Sequence, residues 1–216
     1  MGLLNTLLDI VFPTNCLSCG VSGVDLCTTC LSSFPETTQE NTKWIFPLYD
    51  YRAPPVKRAL WEFKYKGKKR LAGSFAEILY GKIIEELSEL SMMENFNDAI
   101  LVPIPLSPKR YRERGYNQSE LICKELIKLD GNVNFKFKSN VLVKIKETEH
   151  QAQIQDKSKR LKNLSDSFAV KESASIRGRN IILIDDIITT GATLTEAKKA
   201  LRHAGARKII AFTIAH

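Results

Sequence analysis

The chain has 216 residues, of which 44% are hydrophobic, and it carries a formal net charge of +8. This composition excludes an intrinsically disordered chain and predicts one sizeable core with a small appendage. The basic balance favours anionic partners such as nucleotides, phosphorylated sugars or nucleic acid, although charge alone assigns no function. The sequence contains no apolar run long enough to cross a bilayer, so we expect a cytoplasmic protein that does not contact a membrane.

Four of the five cysteines lie close together near the N-terminus. Residues 3–12 have the apolar spacing of a short amphipathic helix. Two Cys-x-x-Cys pairs follow, separated by seven residues, and they consist of Cys16, Cys19, Cys27 and Cys30. Four thiolates at this spacing favour a tetrahedral Zn²⁺ site over unliganded structural cysteines. Because no position remains for water, we predict a structural site on which the small module depends for folding.

The predicted domain layout follows from the polar stretch after this module. Residues 1–34 form the helix and zinc module, residues 35–43 a polar linker, and residues 44–216 the main domain. Residues 44–51 are strand-like and aromatic, and Pro47 within them favours an edge strand.

A basic segment follows the helix that Pro54 and Pro55 open. Trp61, Phe63 and Tyr65 are interleaved with its cations, a pattern that can stack bases and hold phosphates. Alternatively, the aromatic side chains face the core and the lysines are solvated. On the first interpretation, the residues that bind nucleic acid are Lys64, Tyr65, Lys66, Lys68, Lys69 and Arg70, together with Arg112 further along the chain.

The next elements predict an α/β order. Residues 71–90 form a helix and residues 98–103 a buried strand, followed by a proline-rich loop and the dense cations of residues 109–118. Asn117 is predicted to cap a helix over residues 119–129, with Glu120 completing a capping box. Cys123 within it is predicted to pack rather than to react.

Residues 140–145 are a third strand candidate, residues 146–159 a polar lid, and residues 208–215 a final strand. His150 in the lid is assigned no catalytic role. Strands alternating with helices predict a parallel α/β sheet with ligands at the carboxyl ends of its strands. That rule brings residues 103–107, the loop after Ile145 and residues 185–193 around one crevice.

Residues 180–194 carry the most specific pattern of the chain. An apolar run, predicted to be a buried strand, ends in Asp185 and Asp186, and a loop of small residues then leads into a helix. The free N–H groups of a helix N-terminus favour an anion, and Gly191 lets the backbone approach a phosphate closely. The two carboxylates suit sugar hydroxyls or a hydrated Mg²⁺. A ribose 5-phosphate provides a phosphate for the loop and hydroxyls for the two carboxylates. The alternative is an ordinary strand–turn–helix crossover with solvated acids, which would not require the acid pair and this loop to be adjacent.

This stretch resembles the phosphoribosyl-pyrophosphate (PRPP) motif of type I phosphoribosyltransferases. The resemblance implies that Asp185 and Asp186 contact the ribose hydroxyls, directly or through Mg²⁺. The 5-phosphate would lie in the loop formed by Thr189, Thr190, Gly191, Ala192 and Thr193.

The whole chain resembles the ComF family of competence-associated, phosphoribosyltransferase-like proteins. The resemblance rests on the four-cysteine module, on residues 103–110 and 114–118, and on Thr148, Gln151, Arg160, Asn163 and Phe168. It implies that a loop containing Pro103, Ile104 and Pro105 meets pyrophosphate, and that a mobile cationic loop carrying Arg110, Arg112 and Arg114 closes over it. Arg110 and Arg114 are therefore predicted, with the two acids, to be catalytic. One departure is Lys144, where relatives tend to have arginine, which is a stronger bidentate partner for phosphate.

Three functions remain open at this point. The first is a PRPP-fold competence protein that acts in DNA uptake and transformation and contacts single-stranded DNA. The second is a Mg²⁺-dependent phosphoribosyltransferase with an unknown small acceptor. The third is an adaptor that binds other competence proteins through its zinc module.

Overall fold

The computed structural model describes residues 14–38, 43–145 and 167–216. Its strands are β1 (Ile45–Tyr49), β2 (Ala99–Pro103), β3 (Phe135–Phe137), β4 (Leu142–Lys144), β5 (Phe168–Val170), β6 (Ile181–Ile187) and β7 (Ile209–Ala215). Its α-helices are α1 (Thr28–Ser32), α2 (Pro54–Tyr65), α3 (Leu71–Glu94), α4 (Pro108–Arg114), α5 (Gln118–Asp130) and α6 (Ala192–His203). None of these helices is long and apolar enough to cross a bilayer.

A five-stranded parallel sheet forms the centre of the fold, in the order β1-β7-β6-β2-β3. The strand that carries the paired acids, β6, is central, between β7 and β2. The predicted parallel α/β class is therefore confirmed. Strand β1 is at one edge of the sheet, as Pro47 indicated, since an edge strand tolerates a residue without an N–H donor.

The sheet is buried on both faces. Along β6, Ile182 and Ile184 pack into the core on the side of α2, α3 and α5, whereas Ile181 and Leu183 pack on the side of α6. This alternation follows from the two-residue period of a strand. Burial on both faces explains why the strand has a continuous apolar sequence.

Two predicted elements differ from the structure. The strand predicted over residues 140–145 exists as β4, but it pairs antiparallel with β5 in a separate two-stranded sheet. The fifth strand of the main sheet is instead β3, which is only three residues long and has one fully buried side chain, Phe135. A strand this short has too few residues to show a period.

The cationic segment predicted as a mobile loop contains a helix. Ser107 accepts a hydrogen bond from the Arg110 N–H, Pro108 occupies the first turn, and Gly115 ends α4 in the left-handed conformation at φ 75°. These are ordinary start and stop signals of a helix. Helix α5 begins after Asn117, whose side chain accepts from the Ser119 N–H, whereas the Glu120 carboxylate pairs with Lys124 at 2.7 Å rather than closing a capping box.

The four-cysteine module packs against the main domain. Its buried side chains, among them Leu26, Leu31 and Phe34, share one apolar cluster with helices α2 and α3. After the module, the Thr37 N–H donates to Leu48 O at 3.2 Å and the Asp50 N–H to Pro35 O at 2.9 Å, so part of the predicted linker runs along β1. The domain boundaries themselves stay a prediction.

Several sequence-based expectations lie outside the described residues. They are the N-terminal helix over residues 3–12, the lid over residues 146–159, and the family positions Thr148, Gln151, Arg160 and Asn163. Cys123 is fully buried in the core and its pKa is raised well above the ordinary value by burial, as expected of a packing residue.

Candidate ribose-phosphate site

The two acids lie at the carboxyl end of the central strand β6. The two carboxylates have different partners, and both partners lie on helices that cover the same face of the sheet. The Asp186 Oδ1 atom is 2.8 Å from the Lys64 Nζ atom, which reaches it from the last turn of α2. The Asp185 Oδ1 atom accepts a hydrogen bond from the Ser119 hydroxyl at 3.2 Å. The acid pair is therefore contacted from two helices on top of its own strand.

The electrostatic environment of the two acids differs from that of surface carboxylates. Burial and the neighbouring Asp186 carboxylate together raise the pKa of Asp185 to about 7, against the opposing charge of Lys64. A carboxyl with this pKa exchanges its proton near neutral pH. Oxygen acceptors of this kind match the ligands of Mg²⁺ and the hydroxyls of a sugar.

The loop after β6 has the geometry of an anion cradle. Gly191 adopts φ 72° and occupies the N-cap position of the twelve-residue helix α6. As a glycine it offers no side chain to cap the first turn, and that turn contains no acidic residue. Thr190 is exposed at the loop surface and Ala192 is buried beneath it. A helix N-terminus of this kind favours an anion through its first N–H groups and its dipole.

The predicted pyrophosphate loop lies directly beside this strand end. Pro103 is in register with Ile184, and the Ile104 N–H donates to Ile184 O at 2.9 Å. Pro105 follows, partly exposed. The Asn117 side-chain amide donates to Ile104 O at 3.0 Å, which ties the start of α5 to the loop. Parallel pairing of β2 and β6 thus brings residues 103–105 and the acids to one edge of the sheet.

Cations line a cavity that Lys64, the partner of Asp186, also lines. Arg110, Lys64 and Arg114 line one cavity of about 170 Å³ together with Tyr65 and Tyr116. The Arg114 guanidinium lies over the Tyr65 ring at 5.2 Å and donates to Gln118 at 3.1 Å. Burial and the nearby Arg110 charge lower the pKa of Lys144, on β4, to about 8, although the Asp185 carboxylate acts in the opposite direction. An anionic ligand would relieve this concentration of positive charge.

The residues predicted to bind nucleic acid separate into three groups. Lys64 turns inward to Asp186, and Lys68 lies 3.8 Å from Asp25 and 3.9 Å from Glu62. The others are exposed: Tyr65, Lys66, Lys69, Arg70 and Arg112.

The aromatic side chains of this segment separate in the same way. Phe63 is fully buried, whereas Trp61 and Tyr65 are exposed and their ring centroids are 6.3 Å apart. The core-facing interpretation therefore holds for Phe63, whereas base stacking by Trp61 and Tyr65 stays a prediction.

The four cysteines of the N-terminal module form one cluster whose sulfur atoms all lie within 4.8 Å of one another. The Cys16–Cys27 and Cys19–Cys27 sulfur pairs are 3.8 and 3.7 Å apart. A tetrahedral zinc with Zn–S bonds of about 2.3 Å separates its sulfurs by about 3.8 Å. The donor set and its spacing therefore fit Zn²⁺.

Sequence reasoning missed the contacts that the helices make with the acids. The basic pattern of its segment predicts that Lys64 lies on a nucleic-acid surface, and no motif assigns a role to Ser119. The helical spacing of α2 distinguishes Lys64 from its neighbours only when the buried face of the helix is known. The sequence signal closest to these contacts is the Asn117 cap, since it places Ser119 in the first turn of α5.

Comparisons with known proteins agree with this geometry. A family model described as phosphoribosyl transferase domain matches residues 129–216. Among solved structures, a hypoxanthine phosphoribosyl transferase of Trypanosoma cruzi is similar at 12% identity and a TM-score of 0.40, covering 67% of this chain and 64% of its own; at that score the likeness carries no argument. The sheet and the family match define a phosphoribosyltransferase-type α/β domain that follows a four-cysteine cluster.

Relatives over most of the chain are more specific. Competence protein F of Haemophilus influenzae is 28% identical over 88% of this chain and 81% of its own length. The DNA utilization protein YhgH of Escherichia coli O157:H7 is 24% identical over 91% and 81%. Competence protein ComFC of Bacillus subtilis is 31% identical over 74% of this chain and 59% of its own. These relatives confirm the resemblance to the ComF family, of whose proteins this chain is a homologue.

Proposed function

We propose that this protein binds PRPP, or a closely related ribose 5-phosphate, together with Mg²⁺, as a competence-associated protein of the phosphoribosyltransferase fold. One observation carries the proposal. The acid pair that ends β6 is followed within five residues by Gly191, in the left-handed conformation at the N-terminus of α6. Acceptors for sugar hydroxyls and donors for a phosphate are thereby fixed on one rigid strand–loop–helix unit.

Each part of the site has a role in this proposal. Residues 189–193 receive the 5-phosphate through backbone N–H groups, and Asp185 and Asp186 accept from the ribose hydroxyls or bind the hydrated Mg²⁺. The loop that contains residues 103–105 faces the pyrophosphate, with Arg110 and Arg114 compensating its charge. Mg²⁺, when bound, neutralises pyrophosphate oxygens.

The same site suits transfer of ribose 5-phosphate to an acceptor. In that reaction the bond from the anomeric carbon to pyrophosphate breaks, the acceptor nucleophile forms the new bond, and pyrophosphate leaves with the electron pair. Arg110 and Arg114 would then stabilise the charge that develops on the leaving group. The proposal requires binding, and transfer is tested separately by acceptor-dependent release of pyrophosphate.

Calorimetric titration of PRPP with Mg²⁺ into zinc-loaded protein tests the proposal. We expect binding by the wild type and a loss of about tenfold to hundredfold in affinity for the Asp185→Asn/Asp186→Asn variant, because hydrogen bonds to charged groups are lost. Wild-type affinity should rise as the pH is raised through about 7, since the ionised Asp185 carboxylate is the form that binds a cation or accepts from a hydroxyl.

The matched control is Asp98→Asn. Asp98 is exposed and precedes β2, at the amino end of the strands, whereas the acid pair lies at their carboxyl end. Its φ is 48°, a conformation that asparagine tolerates. The Asp98→Asn variant should bind PRPP with wild-type affinity. Absence of PRPP binding by folded wild-type protein, or equal binding by the double variant, would contradict the proposal.

A second function is favoured by the outer face of α2. Trp61 and Tyr65 are 47% and 56% exposed, and Lys66 and Arg114 lie over their rings at 5.0 and 5.2 Å. Exposed rings beside cations can stack the bases and hold the phosphates of single-stranded DNA. Relatives named for competence and DNA utilization support a role in DNA uptake and transformation. Other competence proteins are further partners under this proposal, with the zinc module as their docking element.

A further inference from the structure

The ion pair between Lys64 and Asp186 is not explained by a surface role for Lys64. Its two atoms are 2.8 Å apart, and the side chains are only 14% and 9% exposed. A pair this buried has lost most of its hydration, and its geometry must be held by the surrounding structure to persist. The lysine therefore belongs to the site around the acid pair.

Three contacts hold Lys64 in place. The preceding residue, Phe63, is fully buried, with its ring 5.7 Å from the ring of Phe75. The Tyr116 hydroxyl donates to the Phe63 carbonyl, which fixes the backbone at the base of Lys64. On its other side α2 shares an apolar cluster with Leu26 and Leu31 of the four-cysteine module. The described part of the module, from residue 14 onward, thus supports the helix that presents Lys64.

A ligand at Asp186 has to compete with this lysine. The Lys64 ammonium already contacts Asp186 Oδ1, and a second cation at the same carboxylate oxygen would repel it. A displaced Lys64 side chain has space to move, because it also lines the cavity of about 170 Å³. Glu113 lines the same cavity and offers the ammonium another carboxylate.

We propose that Lys64 is a positioning residue that neutralises Asp186 in the unliganded protein and is displaced toward Glu113 when a divalent cation or a ribose hydroxyl binds there. The proposal rests on the ribose-phosphate site proposed above, and it adds that the affinity of this site is set by competition with an internal cation. A ligand affinity is reduced by the free energy needed to break the competing contact.

Binding of Mn²⁺ alone to zinc-loaded protein tests this competition, because Mn²⁺ prefers the same oxygen ligands as Mg²⁺ and free Mn²⁺ is measured directly by electron paramagnetic resonance. The titration compares wild type, Lys64→Met, Lys64→Arg and the control Lys57→Met at about pH 8.5, which is above the pKa of about 7 of Asp185. Lys57 is an exposed lysine of the same helix.

We expect Lys64→Met to bind Mn²⁺ about tenfold more tightly than the wild type. Lys64→Arg, which keeps the charge, and Lys57→Met should bind with wild-type affinity. A purely structural role would instead leave the Lys64→Met affinity unchanged or lower it, and either result overturns the proposal.

A measurement on otherwise intact protein covers the case in which Lys64→Met does not fold. Lysine side chains labelled by ¹³C reductive methylation are followed by NMR during Mg²⁺ titration, and the Lys64 signal is assigned by its absence in Lys64→Arg. Movement of this signal with Mg²⁺ supports displacement, and a signal that does not move contradicts it. Neither titration contains PRPP, so failure of wild-type protein to bind PRPP would end the proposed function without deciding this competition.

Discussion

The two sides of the candidate site are built in different ways. The β6–α6 side is one contiguous stretch of chain, held by hydrogen bonding to β2 and β7 in the middle of the sheet. The α2–α4 side is assembled from Lys64, Arg110 and Arg114, which lie on two helices outside the sheet and line one cavity. Of these helices, α2 packs against the four-cysteine module and α3.

This difference separates the ligand-binding groups from the groups that adjust them. Pairing with β2 and β7 fixes the register of β6, and with it the position of the acids and of the phosphate loop that follows them. Helices packed through side chains can shift more easily, so their cations can change partners when a ligand enters. We therefore expect perturbations of the module to affect the α2–α4 side first.

Loss of zinc should have the largest effect. The Cys27→Ser variant lacks the sulfur that lies within 3.8 Å of the sulfurs of both Cys16 and Cys19. When the module loses its structure, the apolar residues of α2 that pack against it become exposed to solvent. Because structural zinc sites contribute several kcal/mol to folding, we expect the thermal midpoint to fall by roughly 10 °C or more. Hydrogen exchange should accelerate strongly in residues 54–65 and little in residues 181–187.

The control for this experiment is Thr29→Ala. Thr29 is exposed between Cys27 and Cys30 and its substitution leaves all four sulfurs in place. The variant should keep its zinc and its exchange pattern. Equal acceleration in β6 and α2 on loss of zinc would mean that the two sides unfold as one unit, contrary to this account.

The contiguous side was predictable from sequence, and the assembled side was not. The run from Ile181 through Thr193 carries strand, acids, glycine and helix start in order, because each part is specified by neighbouring residues. The local spacing of the four cysteines likewise predicts their cluster. Helix α2 and strands β2 and β7 followed from apolar patterns of sufficient length.

The rest depends on tertiary packing. Nothing local to Lys64 shows that its helix turns this lysine, rather than Lys66, toward a strand end more than a hundred residues later. Strand β3 is too short for a period, and β4 has the composition of a sheet strand but lies outside the main sheet. The dense charge of the cationic segment predicts a loop, whereas the cap at Ser107 and the stop at Gly115 are the local signals of the helix that forms.

Substitutions on the outer face of α2 are expected to have a smaller effect, and to act on the binding of single-stranded DNA. Replacing Trp61 and Tyr65 together by alanine should weaken binding of a labelled oligothymidine by roughly tenfold or more, since stacking of a base on an aromatic ring is worth about 1–3 kcal/mol. PRPP binding should fall less than DNA binding, since Tyr65 bears on the proposed site through the Arg114 guanidinium that lies over its ring. Fluorescence anisotropy at several salt concentrations measures the DNA affinity, and its fall with salt reports the phosphate contacts.

Met92→Ala/Met93→Ala is the matched control for this prediction. These two residues are 85% and 84% exposed near the end of α3, and their removal should leave DNA binding as in the wild type. If the Trp61→Ala/Tyr65→Ala variant keeps the wild-type DNA affinity, this face of α2 does not contact DNA.

The most direct test of the central claim is a crystal structure with PRPP and Mn²⁺, in which the anomalous signal of manganese locates the cation. We expect the 5-phosphate at the backbone N–H groups of residues 189–193, the ribose hydroxyls at Asp185 and Asp186, and the manganese signal between the ribose and the pyrophosphate. The Lys64 side chain should have left Asp186. PRPP bound away from β6, or an intact Lys64–Asp186 pair beside a filled site, would contradict the account.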